Sequence, residues 1–178
     1  MASLAACPAL LPLLFLFFLP CLPARVTLQT SNLIDHVCRL HDDYNFCVVA
    51  LASDPSSGSA DLTNLGFISF ELVLANITDT SLYIEEQLAI EKDAKTKKSL
   101  TDCLQGYREA AEDTRAGKQA LTAKDYQRMS IEALAVGTAA GGCERAFGGP
   151  PGRTPLSPRD RNLDLLSEIP WLIAAMLH

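Results

Sequence analysis

SLTDCLQGYREAAEDTRAGKQALTAKDYQRMSIEALAVGTAAGGCERAF, residues Ser99 to Phe147, holds two apolar stripes separated by a short polar turn at Thr122-Ala123-Lys124-Asp125. In the first, Leu100, Cys103, Leu104, Tyr107, Ala111 and Thr114 recur every three or four residues. In the second, Tyr126, Met129, Ala133, Val136, Ala140, Cys143 and Phe147 do the same. That period belongs to a helix. Each stripe carries one cysteine, and a turn that folds the helices back antiparallel brings Cys103 and Cys143 to the same end of the hairpin. A disulfide there would staple the hairpin shut, and the rest of the chain is expected to pack around it.

Working outward, four long amphipathic patterns emerge, at about 61–94, 98–121, 124–147 and 158–177. Asp61 or Ser59 offers an N-cap to the first, whose stripe is Leu62, Leu65, Phe67, Ile68, Leu72 and Ala75, continuing through Ile77, Ile84 and Leu88. Gly148-Gly149-Pro150-Pro151-Gly152 cannot propagate a helix and predicts a loop. Ser157-Pro158 then predicts a helix start, with Ser157 as cap and Asp160 near the positive end of the dipole. Leu163, Leu166, Ile169, Ile173 and Leu177 form the last stripe, and Pro170 inside it removes one backbone bond and should bend the helix. Four such helices with short connections predict an all-α, up-down-up-down four-helix bundle over 59–178.

Ahead of it, residues 25–58 predict an N-terminal helical hairpin. Leu28, Asn32, Leu33, His36, Val37 and Leu40 suggest a short helix starting near Ser31. His41-Asp42-Asp43-Tyr44-Asn45 should reverse the chain, and a second helix is expected from Phe46 to about Ser53, ended by Asp54-Pro55. Such a hairpin cannot bury enough apolar surface to stand alone.

Residues 1–24 hold no charged side chain and carry a dense apolar run, Leu10 to Leu19, of secretory rather than membrane-spanning length. A signal peptide cleaved near Ala24 is expected, leaving a secreted, extracellular chain with no membrane partner. Cleavage removes Cys7 and Cys21 and leaves Cys38, Cys47, Cys103 and Cys143. Four cysteines in an oxidising compartment predict two disulfides, with three connectivities open from spacing and local pairing the simplest. No two of the four form a CxxC half-site, so metal binding through them is not expected.

With 178 residues, 48% hydrophobic and 20% charged, the chain has the composition of one globular domain once its leader is removed. A net charge of −6 excludes a nucleic-acid partner, because phosphate binding needs clustered Lys and Arg. The one basic cluster, Lys92 to Lys98, is interrupted by Asp93 and reads as a solvated helix end or turn. His36, His41 and His178 belong to no catalytic arrangement; His36 and His41, five apart beside Asp42 and Asp43, could bind a metal weakly or titrate near neutral pH, but surface polar residues explain the same pattern and are the expected reading. No serine lies in a GxSxG context, and the glycine-rich stretch follows no strand that would make it a phosphate cradle. Glu85, Glu86 and Glu91 read as a solvated face. Neither catalytic residues nor a cofactor nor a metal is expected. Asn76-Ile77-Thr78 is a glycosylation sequon, with Asn76 the acceptor if it faces solvent.

Five ordered motifs carry a further resemblance: the eight-residue spacing from Cys38 to Cys47, Ser53-Asp54-Pro55-Ser56-Ser57 leading to Ala60-Asp61-Leu62, Thr101-Asp102-Cys103-Leu104 with Tyr107, Cys143-Glu144-Arg145-Ala146-Phe147, and Ser157-Pro158-Arg159-Asp160-Arg161-Asn162. Together they resemble the plant invertase and pectin methylesterase inhibitor family across the mature chain. Asp43 to Cys47 and Leu65 to Ser69 look most like the branch that includes a plane-tree pollen allergen. The resemblance implies a secreted, apoplastic bundle with both disulfides in the local pairing, inhibiting a cell-wall carbohydrate enzyme one-to-one. The expected partner is pectin methylesterase or acid invertase. Family members directed at invertase insert the turn between the two central helices through a Pro-Lys-Phe motif. The matching turn here carries Lys124, Asp125 and Tyr126, with Asp125 intervening and no proline. A rival reading is a non-inhibitory secreted carrier or recognition bundle with a small ligand held between its helices.

Overall fold

The computed structural model describes residues 32–148 and 152–178. The expected signal peptide at 1–24, Leu28, Ser31 and the linker residues 149–151 lie outside the described residues. The described chain is helical: α1 (Asn32–Cys38), α2 (Tyr44–Ala52), a single 3-10 turn (Ser57–Ser59), α3 (Leu62–Ile90), α4 (Ala94–Thr122), α5 (Tyr126–Ala146) and α6 (Ser157–Met176). Helices α3 to α6 form a four-helix bundle in which α3 packs on α4 and α6, and α5 packs on α4 and α6. Helices α1 and α2 form a hairpin laid against α6 and α3.

The connections follow from caps. Between α3 and α4 only three residues intervene, and the Glu91 carboxylate accepts the N–H groups of Lys92 and Asp93 at 2.7 and 2.8 Å. Asp93 then accepts from Thr96 N–H at 2.8 Å, so α4 starts at Ala94 rather than near residue 98. The lysines at 95, 97 and 98 therefore sit exposed in the opening turns of α4, at a solvated helix end. Asp43 caps α2 through Phe46 N–H at 3.0 Å, which moves its start two residues ahead of the expected Phe46. Asp61 caps α3 through Asn64 N–H at 2.8 Å. Ser157 is the first residue of α6 and not its cap; Leu156 precedes it, and the Ser157 hydroxyl instead accepts from Thr154 N–H at 2.8 Å. Helix α6 runs through Pro170 without interruption.

Both disulfides join neighbours in sequence, Cys38–Cys47 within the hairpin and Cys103–Cys143 between α4 and α5. The bundle interior is filled by Phe70, Ile77, Ile84, Tyr107, Met129, Leu163 and Ile169, each fully buried. At about 25 cal/mol per Å² of apolar surface, side chains of this size supply the main drive for assembly. Two apolar residues expected on stripes face solvent instead: Leu40, which lies beyond the end of α1 at Cys38, and Ala75, whose angular position on α3 falls outside the arc that α4 and α6 cover.

His41 overturns a second expectation. It is only 6% exposed, and its ring joins the hairpin to the bundle. Nε2 lies 2.9 Å from Leu165 O of α6, while Nδ1 accepts from Asp43 N–H at 2.9 Å. Since Nδ1 accepts, the proton of the neutral ring sits on Nε2 and donates to the carbonyl. Glu168 completes the joint by accepting from Asp42 N–H at 3.1 Å, with His41 Nε2 3.3 Å from its carboxylate. Burial is the physical reason that a polar sequence context misplaced this residue.

Candidate interaction surfaces and the buried polar cluster

The α4–α5 turn is a tight reversal at one tip of the bundle. Lys124 has φ 57°, the left-handed conformation that glycine adopts without cost and other residues adopt with strain. Two bonds close the helix end around it: Asp125 N–H to Ala120 O at 2.9 Å and Lys124 N–H to Leu121 O at 3.0 Å. This is the Schellman closure, which satisfies carbonyls that α4 would otherwise leave open. Lys124 is exposed. Asp125 caps α5 by accepting from Arg128 N–H at 3.0 Å, so its carboxylate has a structural task. Tyr126 is half-buried, edge-on to the ring of His178 at 6.3 Å. Lys124, Asp125 and Tyr126 thus share one tip, with the Lys124 side chain exposed at its end.

At the opposite end of the same hairpin, Cys103–Cys143 pins α4 to α5. Close by lies a polar cluster that the sequence did not reveal. Tyr107 is fully buried, and its hydroxyl donates to Asp160 Oδ1 at 2.8 Å. Asp160 is 2% exposed, and its Oδ2 has no hydrogen-bond partner. Burial pushes its carboxyl up to about 7; the Tyr107 hydrogen bond opposes this, and the Glu144 carboxylate beside it adds to the rise. The Tyr107 hydroxyl is pushed well above its ordinary value, first by burial and then by Asp160. Glu144 itself is held by Gly152 N–H at 3.0 Å and by the Thr154 hydroxyl at 3.2 Å. Tyr107 belonged to an apolar stripe and Asp160 to a helix start, so neither announced the other.

A pH dependence of stability follows. Asp160 has a folded value near 7 against 3.8 for an ordinary aspartate, so folding takes up a proton between those limits. Its stabilising effect is complete below about pH 3.8 and is lost as pH rises through about 7. On going from pH 8 to pH 5 the wild-type protein is expected to gain stability relative to Asp160→Asn, by up to about 1.4 kcal/mol per pH unit inside that window. Asparagine keeps an acceptor for Tyr107 but carries no charge. Urea unfolding at both pH values measures the difference, and parallel profiles would contradict it.

The three histidines lie apart from one another. His36 is exposed on α1, both ring nitrogens of His41 are engaged in the hairpin joint, and His178 lies against Tyr126. Among the described residues no group of three or more His, Cys, Asp or Glu side chains could hold a metal. Asn76 is half-buried in the middle of α3 with its Oδ1 shielded and unpartnered, while the Thr78 hydroxyl donates to Leu74 O at 2.8 Å.

A groove of about 760 Å³ runs between α5, the loop at 152–154 and the start of α6. It shares Gly137 and Asp164 with one of about 410 Å³ between α5 and α6, whose lining includes Leu134 and Trp171. Three large apolar side chains stand on this side of the bundle: Ile131, Leu134 and Trp171, 59%, 64% and 41% exposed. The helical period that assigns Met129, Ala133 and Val136 to the core puts Ile131 and Leu134 on the opposite side of α5. The signal was therefore present in the sequence.

The described chain is thus a helical bundle stapled by two disulfides, with an exposed turn at one tip and exposed apolar side chains on α5 and α6. The chain matches the family model for plant invertase/pectin methylesterase inhibitors over residues 32–169, and it belongs to that family. A pectinesterase inhibitor of Actinidia deliciosa is 34% identical over 167 residues, covering 93% of this chain and 90% of its own. A cell wall / vacuolar inhibitor of fructosidase from Arabidopsis thaliana is 36% identical over 120 residues, 67% of each chain. Shorter alignments join the chain to invertase-inhibitor relatives from Platanus. Among solved structures, a mutant form of an Arabidopsis pectin methylesterase inhibitor superposes with a TM-score of 0.73, at 18% identity over 83% of this chain and 99% of that one. Membership places the protein among inhibitors rather than enzymes.

Proposed function

We propose that this protein is secreted to the plant cell wall and inhibits a carbohydrate enzyme there, pectin methylesterase or acid invertase, by binding one-to-one and obstructing the active-site cleft. The observation that carries this reading is the 34% identity to a pectinesterase inhibitor along 93% of the chain. The physics suits it: a bundle closed by two disulfides loses little freedom on docking, so its contact surface is not taxed by ordering. Titrating the purified protein against both enzymes tests the reading, and inactivity towards both would remove it.

Acid invertase as target is favoured by the α4–α5 tip, where an exposed lysine stands proud of the bundle and could meet the carboxylates of a glycosidase site. Two substitutions separate contact from fold. Lys124→Gly relieves the left-handed backbone and is expected to stabilise the protein by about 1 kcal/mol. Lys124→Ala leaves the strain in place. If Lys124 reaches the target, both variants weaken invertase inhibition although their stabilities move apart; unchanged inhibition in both would show that the tip makes no contact.

A further inference from the structure

We propose that Asn76 carries an N-linked oligosaccharide, so that the mature protein bears a sugar chain at the outer margin of α3. This rests on the secreted reading above, because such chains are attached along the secretory route, and it adds a covalent site to that reading. The sequence has asparagines at 32, 45, 64, 76 and 162, and Asn76 alone has serine or threonine two positions on with no proline between. What separates this match from a chance one is the setting of its side chain.

Asn76 stands where the buried arc of α3, Val73, Ile77 and Thr80, gives way to the exposed Ala75, Thr78 and Asp79. Asp79 pairs with Arg159 of α6, whose guanidinium lies over the Tyr83 ring at 4.3 Å, so this margin of the helix is polar. The Asn76 carboxamide is turned one way. Oδ1 is shielded and unpartnered, whereas Nδ2, which bonds to nothing in the described protein, is not shielded. Since the two atoms sit on opposite arms of one planar group, an inward Oδ1 sends the nitrogen outward. The reverse setting would shield two N–H donors instead of one acceptor, which costs more. The atom that accepts a sugar is therefore the one that faces water.

No duty within the fold accounts for the residue. Asparagine is a poor helix former away from the ends, where its side chain usually caps or bonds the backbone. Asn76 lies in the middle of α3 and does neither. The Thr78 hydroxyl, part of the recognised sequence, donates to Leu74 O at 2.8 Å once the helix has formed. Transfer thus belongs to the chain before α3 closes, with a lipid-linked oligosaccharide diphosphate as donor. The bond from Nδ2 to C1 of the first sugar forms as the C1–O bond to the diphosphate breaks; Nδ2 gives up one proton and the lipid diphosphate leaves. The amide keeps Oδ1 and one N–H, so the folded helix can hold Oδ1 where it now lies while the sugar projects outward.

The test expresses the full-length chain, leader included, in mammalian cells and reads its intact mass in medium and in cells, with and without a peptide N-glycosidase. The wild type is expected to exceed the bare polypeptide by one oligosaccharide and to lose that excess on treatment, which cuts Cγ–Nδ2 and converts Asn76→Asp. Asn76→Gln and Thr78→Ala are expected to lose the excess entirely, and Thr78→Ser, which keeps a hydroxyl, to retain it. Asn162→Gln changes an exposed asparagine of α6 outside any sequon and should leave the excess in place. Bare wild-type chain in the medium would overturn the proposal while the secreted reading stands. Glycosylated chain held inside the cells would support the site and remove that reading, and bare chain confined to the cells would overturn both. An excess that survives Asn76→Gln would place the sugar elsewhere and overturn the assignment. The first readout needs only the wild type, so a variant that fails to fold leaves the test intact.

Discussion

Paired serine substitution of Cys103 and Cys143 lowers the free energy of unfolding by about 4 kcal/mol in the chain-entropy account of a cross-link. The bridge closes 40 residues of sequence, the whole of the α4–α5 hairpin beyond it, and the Cα atoms it joins stand 4.6 Å apart. Cutting it returns to the unfolded chain the freedom that the loop had removed. In a domain of this size the loss corresponds to a fall in Tm of roughly 8–16 °C. The Cys38–Cys47 bridge spans only 9 residues, and its removal should cost about 3 kcal/mol, chiefly at the hairpin. Urea unfolding of the two double variants orders them. A smaller loss for Cys103/Cys143 than for Cys38/Cys47 would mean that α4 and α5 are held mainly by packing.

Phe70→Ala is expected to destabilise the protein by about 3–5 kcal/mol, the usual range for emptying a fully buried aromatic site. The site has an uncommon partner. A Cβ added at Gly117 on α4 would stand 2.6 Å from Cζ and 2.7 Å from Cε1 of the Phe70 ring on α3. Neither atom belongs to a flexible chain end, so the ring or the helix must move. Gly117→Ala should therefore cost about 1–3 kcal/mol from overpacking, less about 1 kcal/mol returned by alanine's better helix propensity. Shortening the ring as well, in Phe70→Leu with Gly117→Ala, gives the new methyl somewhere to go. The double variant should then be more stable than the sum of its singles predicts by about 1 kcal/mol or more. Additive losses in urea unfolding would show that α3 and α4 do not meet at this point.

Periodicity made most of the bundle legible, because Met129, Ala133, Val136, Ala140 and Cys143 can share an arc only if α5 is a helix with that arc inward. Helix ends were legible to within a few residues, as at Asp61, one of the two caps that the sequence offered for α3. Ser157 was expected as the cap of α6, yet the chain entering α6 from Thr154 turns so that its hydroxyl accepts from Thr154 N–H instead. His41 and the Tyr107–Asp160 pair were not legible, since each joins residues far apart in sequence: 124 between His41 and Leu165, 53 between Tyr107 and Asp160. A local pattern holds no record of such meetings. Of the surfaces, Lys124 was reached through the resemblance, and the Ile131–Leu134 strip follows from the same period that defined the core.

The clasp between the hairpin and α6 grips main chain wherever it can: His41 takes the carbonyl of Leu165 and the amide of Asp43, and Glu168 takes the amide of Asp42. Every residue but proline has that amide, and every residue has that carbonyl. Positions 42 and 165 are thus released from the duty of supplying a particular side chain to this joint, whereas Asp43 is not, since its carboxylate also caps α2 through Phe46 N–H. Substitutions at those two positions can rewrite the outer surface of this joint while the side chains of His41 and Glu168 keep the hairpin moored.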